Sequence, residues 1–141
     1  MSLIRVGVTA NNFAEAITAA GELLVEAGHA KPQYIRAMIQ VVEELGPYIV
    51  IADGIALAHA APGDNVIKNS IALAVLEKSV DFGSGKMVKA VFAMAATDHD
   101  SHIESLGDLA ALLADAEIRT VLLTAAESQP IELALASVLG E

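Results

Sequence analysis

The sequence predicts an α/β fold in which a mixed sheet carries packed helices. Short apolar runs rich in β-forming residues recur through the middle of the chain, at 48–51, 55–57, 71–76 and 88–96. Segments with apolar residues at helical spacing lie on either side of them, several opened by a capping residue or a proline. Glycines, prolines and short polar clusters mark the boundaries between these segments.

Taken in order, residues 3–8 (Leu-Ile-Arg-Val-Gly-Val) form a short strand. Asn11 or Asn12 then caps a helix over 13–27, which Gly28 ends. Pro32 suits the first turn of a second helix over 33–45, ended by Gly46-Pro47. The four apolar runs follow as strands of the central sheet. Between the last two, Asp81-Phe82-Gly83-Ser84-Gly85-Lys86 supplies two glycines and predicts a hairpin turn. Thr97 to His102 reads as a polar loop, after which Ile103, Leu106, Leu109, Leu112 and Leu113 mark one helix face. Residues 118–123 fit strand or helix by periodicity, and Asp115 as a cap with the surrounding alanines favours helix. Ser128 and Pro130 open a last helix over 131–139. No repeat, low-complexity tract or interdomain linker interrupts the chain, so one domain over 1–141 is expected.

Composition narrows the function classes. The chain has 141 residues, 55% of them hydrophobic, yet no apolar run reaches the roughly 18 residues that cross a bilayer. Its start lacks the pattern of a signal peptide, and a cytoplasmic protein without direct membrane insertion is expected. The absence of cysteine excludes a disulfide framework, a thiolate metal site and a cysteine nucleophile within the chain. With 18 acidic against 8 basic residues and a net charge of −10, nucleic acid is an unfavourable ligand and a partner with a basic face a favourable one.

Two fragments imitate nucleotide motifs and fail. A phosphate-binding loop needs a glycine five positions before Gly85 and a hydroxyl residue after Lys86, where the chain has Val80 and Met87. The Asp81-Phe82-Gly83 triplet lacks every other kinase element.

The histidines carry the remaining chemistry. His59 ends the apolar run Gly54-Ile55-Ala56-Leu57-Ala58, at the point where a strand passes into the loop Ala60-Ala61-Pro62-Gly63-Asp64. A lone histidine in such a place is commonly structural, but strand ends also present reactive groups in fixed positions, and its alanine neighbours leave the ring room. His102 falls at the start of the helix near Ile103, where unpaired amides and the helix dipole favour an anion such as a phosphoryl group. A competing reading joins His99, His102, Asp98 and Asp100 into a metal site for a hydrolase. His29, after Gly28 at a helix end, reads as structural.

Residues 20–28 (Ala-Gly-Glu-Leu-Leu-Val-Glu-Ala-Gly), 34–39 (Tyr-Ile-Arg-Ala-Met-Ile), 44–52 (Glu-Leu-Gly-Pro-Tyr-Ile-Val-Ile-Ala), 54–60 and 102–106 (His-Ile-Glu-Ser-Leu) resemble the enzyme IIA domain of the phosphoenolpyruvate-dependent sugar phosphotransferase system, of the mannitol/fructose superfamily. Residues 44–52 with the Ala60-Ala61-Pro62 continuation are most similar to the ascorbate-specific branch. The resemblance implies a mixed, about five-stranded sheet flanked by helices. It implies that His59 accepts a phosphoryl group from phospho-HPr and passes it to the cysteine of an enzyme IIB partner that serves a IIC permease, and that His102 stands beside His59. No cofactor and no metal are implied, and a homodimer is compatible with it. Two departures stand out. Ala58 replaces the usual proline before the active histidine. The arginine and glutamate found near the site in mannitol-type members fall on Glu43 and Asp53, so Asp53 is the candidate orienting carboxylate and support for the phosphoryl charge falls to His102 and backbone N–H groups. A regulatory module of the same fold, whose phosphorylation state is read by protein partners, is the nearest alternative function.

Overall fold

The computed structural model describes residues 3–135. Along the chain run β1 (Ile4–Val8), α1 (Phe13–Glu26), α2 (Pro32–Leu45), a single 3-10 turn at Pro47–Ile49, β2 (Val50–Ala52), β3 (Gly54–His59), β4 (Ser70–Asp81), β5 (Met87–Ala95), α3 (His99–Leu113), α4 (Ala116–Thr124) and α5 (Ser128–Leu135). Local chemistry explains most of the boundaries. Asn12 caps α1 by accepting the Glu15 N–H, while Glu15 takes the Asn11 N–H in return. Gly28, at φ +78°, lets the His29 N–H fold back onto the Leu24 carbonyl and close the helix. Asp115 caps α4 through the N–H groups of Glu117 and Ile118.

The five strands form one mixed sheet in the order β1-β4-β5-β3-β2. β1 is parallel to β4 and β3 parallel to β5, while β4–β5 and β2–β3 are antiparallel. Strand alternation divides the interior into two layers. On one face Ala56, Ala58, Ala72, Ala74, Ala93 and Ala95 lie under α1 and α2. These small side chains let the two helices sit close to the sheet. On the other, Ile55, Leu57, Leu73, Val75, Phe92 and Met94 meet leucines and isoleucines of α3, α4 and α5. The second face carries the larger side chains, and His59 continues its row.

The hairpin between β4 and β5 is an ordinary turn. Its Gly83, Ser84 and Gly85 all have positive φ, the Gly83 N–H donates to the Asp81 carboxylate, and the Phe82 and Lys86 N–H groups bond within the loop. It lies at the end of β5 opposite to the end reached by His59.

Several boundaries differ from the sequence expectation. The 48–51 run is a strand only from Val50, because Pro47 opens a 3-10 turn that leaves Tyr48 83% exposed. β3 continues past Leu57 to His59, since its parallel ladder with β5 persists to the pair His59 and Met94. β4 runs on to Asp81 through the exposed Glu77, Lys78 and Ser79, and pairing with β5 resumes at Val80 and Val88. α3 begins at His99 rather than Ile103, because the Asp98 side chain accepts the Ser101 N–H and turns the polar tetrad that follows Asp98 into a first helical turn. α5 begins at Ser128, and the part of the expected helix over 136–139 lies outside the described residues.

Candidate functional site

His59 is the last residue of β3 and projects from the same face as Ile55 and Leu57, towards α3. Its Nδ1 lies 3.0 Å from the carbonyl oxygen of Leu57. A carbonyl only accepts, so Nδ1 carries the proton and Nε2 holds the free lone pair. The ring is half-buried. Contrary to the expectation from the sequence, Ala58 and Ala60 do not give it room, because both are buried in the opposite layer under α1 and α2. Only Ala61 is exposed.

His102 comes from the first turn of α3 and is also half-buried. The two imidazole centroids are 5.4 Å apart with the ring planes tilted by 58°. Loss of hydration, then the neighbouring His59 and His99, hold the His102 imidazole below its ordinary pKa of 6.5. It is therefore neutral near pH 7. The expected pocket of free amides at this helix start is filled from within the protein. The His102 N–H bonds to the Asp98 carbonyl, and the Asp98 carboxylate occupies the helix N-terminus. The Ser101 backbone N–H and then its hydroxyl hold the Asp98 carboxyl below the usual range. The Ser101 and His102 N–H groups are thus already bonded to Asp98.

Asp53 does not join the histidines. It sits in the turn between β2 and β3, exposed, at the opposite end of the six-residue β3. At roughly 3.3 Å per residue the strand alone separates it from His59 by more than about 15 Å, so it cannot orient that ring. Glu43 lies on the other side of the sheet, in the last turn of α2, where it lines a groove with Thr18 and Arg36. The metal reading fails on geometry as well. Among the described residues no three His, Cys, Asp or Glu side chains converge on one point. Asp98 is committed to the cap, and Asp100, two residues before His102, points to another side of the helix. His29 pairs its Nδ1 with the Ser70 hydroxyl at 2.8 Å, joining the α1–α2 loop to β4.

Tyr34 carries no role in the sequence analysis, yet its hydroxyl touches β5 and the residue that follows His59. It receives the Ala60 N–H at 3.1 Å and lies 2.6 Å from the Met94 carbonyl. A tyrosine on the apolar stripe of an amphipathic helix is the signal that could have marked it, because a buried phenol needs a partner. An apolar groove of about 440 Å³, lined by neither histidine, runs between Leu57, Leu106, Leu109 and Leu113, with Arg119 among its lining residues. Ile103, next to His102, is 55% exposed. No helix among the described residues is long and apolar enough to cross a membrane.

Comparison with known proteins agrees with this architecture. The chain is 37% identical over 103 residues to the ascorbate-specific phosphotransferase-system EIIA component of Salmonella choleraesuis, covering 72% of this chain and 67% of the relative. It is 33% identical over 131 residues to the mannitol-specific cryptic phosphotransferase enzyme IIA component of Escherichia coli K12, covering 92% and 89%. Its fold superposes on the complex of enzyme IIAMTL and phosphorylated enzyme IIBMTL from Escherichia coli with a TM-score of 0.83, at 28% identity, covering 95% of this chain and 94% of that one. Residues 1–137 match the family model for the phosphoenolpyruvate-dependent sugar phosphotransferase system, EIIA 2. The chain therefore belongs to that family and is a phosphotransferase component of the sugar phosphotransferase system.

Proposed function

We propose that the protein is a phosphocarrier in which His59 Nε2 accepts a phosphoryl group from phospho-HPr and passes it to the cysteine of an enzyme IIB that serves a IIC permease. The observation that carries this reading is the 3.0 Å contact from His59 Nδ1 to the Leu57 carbonyl. It fixes the tautomer whose Nε2 is the nucleophile.

In the first step the Nε2 lone pair attacks phosphorus, the donor's N–P bond breaks, and the donor imidazole leaves with the bonding pair. In the second the enzyme IIB thiolate attacks the same phosphorus and the Nε2–P bond breaks. Nε2 thereby regains its lone pair without a net proton change on His59. His102, 5.4 Å away between centroids, stabilises the transferring oxygens.

The surface around the pair suits a protein partner. Ile103 and the Leu57–Leu106 end of the groove supply apolar contact, while further round α3, on the side turned from His102, Asp100, Glu104 and Asp108 form an exposed acidic stripe at four-residue spacing. A basic partner face complements it. The similarity to ascorbate-specific components over 103 residues favours ascorbate, or a related sugar acid, as the substrate moved by the system. The protein acts in the cytoplasm, where donor and acceptor meet.

The deciding experiment is intact-mass analysis after incubation with phosphoenolpyruvate, enzyme I and HPr, beside a His59→Ala variant. One acid-labile phosphoryl group on the wild type and none on the variant is the expected result. An unmodified wild type with its own donor proteins would overturn the reading.

A further inference from the structure

We infer that the Tyr34 hydroxyl is a positioning group for His59, acting as a side-chain rung that ends the β3–β5 ladder one residue beyond the reactive ring. The last backbone pair of that ladder is His59 with Met94. One residue later the Ala60 N–H turns to the phenol oxygen instead of to β5, at 3.1 Å, and the phenol stands 2.6 Å from the Met94 carbonyl. A phenol has one hydrogen and accepts through oxygen, so the pattern is complete: it receives from Ala60 and donates to Met94. The second carbonyl, that of Ala60, is at 3.3 Å and is the weaker alternative for the same hydrogen.

The surroundings leave the hydroxyl no substitute. Tyr34 is 2% exposed, Met94 is fully buried and Ala60 is 7% exposed, so water does not readily replace the phenol. Tyr34, Met38 and Val42 form the buried stripe of α2, and Pro32 and the Tyr34 N–H bond to the Lys31 carbonyl fix the start of that helix. Burial raises the phenol above its ordinary pKa, which keeps it a donor throughout the working range. The hydroxyl thus sets the distance between the carboxyl ends of two parallel strands, the place where an open sheet presents a crevice. His59 hangs from one of those ends, and its Nδ1 bond reaches back to Leu57 within the same strand. Without the hydroxyl, the Ala60 N–H and the Met94 carbonyl must find each other directly, and the backbone carrying the ring moves.

The kinetic arm of the test rests on the phosphocarrier reading, while the spectroscopic arm does not. In ¹⁵N-labelled, unphosphorylated protein, the two ring nitrogens of His59 report its tautomer. Tyr34→Phe is expected to shift His59 from a dominant Nδ1–H form towards a mixture, and to slow single-turnover phosphoryl transfer tenfold or more with the KM for the donor unchanged. Val42→Ala, in the same helix two turns further on, is the control: it loosens α2 yet leaves tautomer and transfer rate as in the wild type. A Tyr34→Phe protein with wild-type tautomer and rate would overturn the inference, as would a Val42→Ala protein that matched its defects. If the tautomer shifts but no protein is phosphorylated, the positioning role stands and the phosphocarrier reading falls. Should Tyr34→Phe not fold, 3-fluorotyrosine in a Tyr48→Phe background leaves a single ¹⁹F reporter at position 34. That resonance is expected to move when His59 is phosphorylated, and an unmoved resonance in phosphorylated protein overturns the inference.

Discussion

The rings of His59 and His102 meet at 5.4 Å between centroids although β4, its hairpin and β5 intervene in the chain. The meeting follows from strand order: β5 lies between β4 and β3, so the segment leaving β5 enters α3 directly beside the end of β3. One imidazole on a strand end and a second on a helix start are thereby held by two rigid elements rather than by one flexible loop.

His102→Ala is expected to slow phosphoryl transfer by on the order of 10²-fold, the loss seen when one donor to a developing oxyanion is removed. The fold stays intact because His102 is half-buried and its side chain makes no hydrogen bond to another protein group among the described residues. Rapid-quench kinetics with phospho-HPr, alongside circular dichroism of the variant, check both halves. Unchanged transfer removes His102 from the site.

Stability of the unphosphorylated protein is expected to decline as pH falls through about 6.5. The His102 pKa is lowered in the fold from its ordinary 6.5, so as pH drops the unfolded chain takes up this proton first and gains relative to the folded one. The contribution is complete above 6.5 and lost on the acid side until the folded pKa is reached. Urea midpoints at pH 7.5 and 5.5 should show a smaller difference for His102→Gln than for the wild type.

Phosphorylation of His59 is expected to reverse that electrostatic balance. A phosphoryl group adds about −1.5 to −2 charge beside His102, where His59 now acts only to depress its pKa. The His102 pKa is expected to rise on phosphorylation of His59, giving an imidazolium paired with the phosphoryl oxygens. An NMR titration of the His102 ring in both states checks this, and equal midpoints would contradict it.

Asp53→Ala is expected to leave transfer within about twofold of wild type. Removing a carboxylate more than about 15 Å of strand away changes neither the His59 tautomer nor the charge at the ring. Single-turnover rates decide it, and a large loss would mean that Asp53 serves the partner's approach.

The acidic stripe on α3 predicts salt dependence. Reversing Asp100, Glu104 and Asp108 to lysine is expected to lower the association rate with phospho-HPr by roughly tenfold at low ionic strength and to flatten its dependence on salt, since rim charges act mainly on encounter. Stopped-flow measurements at two salt concentrations test it.

The succession of elements was legible in the residues because its causes are local. Caps at Asn12 and Asp115, the glycine stop at Gly28, the two-glycine hairpin and the period-3.6 face of α3 each act over a few neighbouring positions. His59 stood out for the same reason, as one polar residue closing an apolar strand. The start of α3 was missed because the polar tetrad His99-Asp100-Ser101-His102 resembles a loop until Asp98 is seen capping it. Asp53 enters the candidate site only through the family resemblance, and the extended β3 between it and His59 sets the carboxylate at the far end of the strand.

The sequence by itself determined the elements, the two candidate imidazoles and, through family resemblance, that they stand together. Tertiary structure decided which side groups share the site: it brought in the Tyr34 hydroxyl, sent Asp53 and Glu43 away, and filled the helix start with Asp98. Helices and turns are governed by bonds between near neighbours, whereas ring proximity depends on sheet order and register, set by hydrogen bonds and burial between residues far apart in the chain.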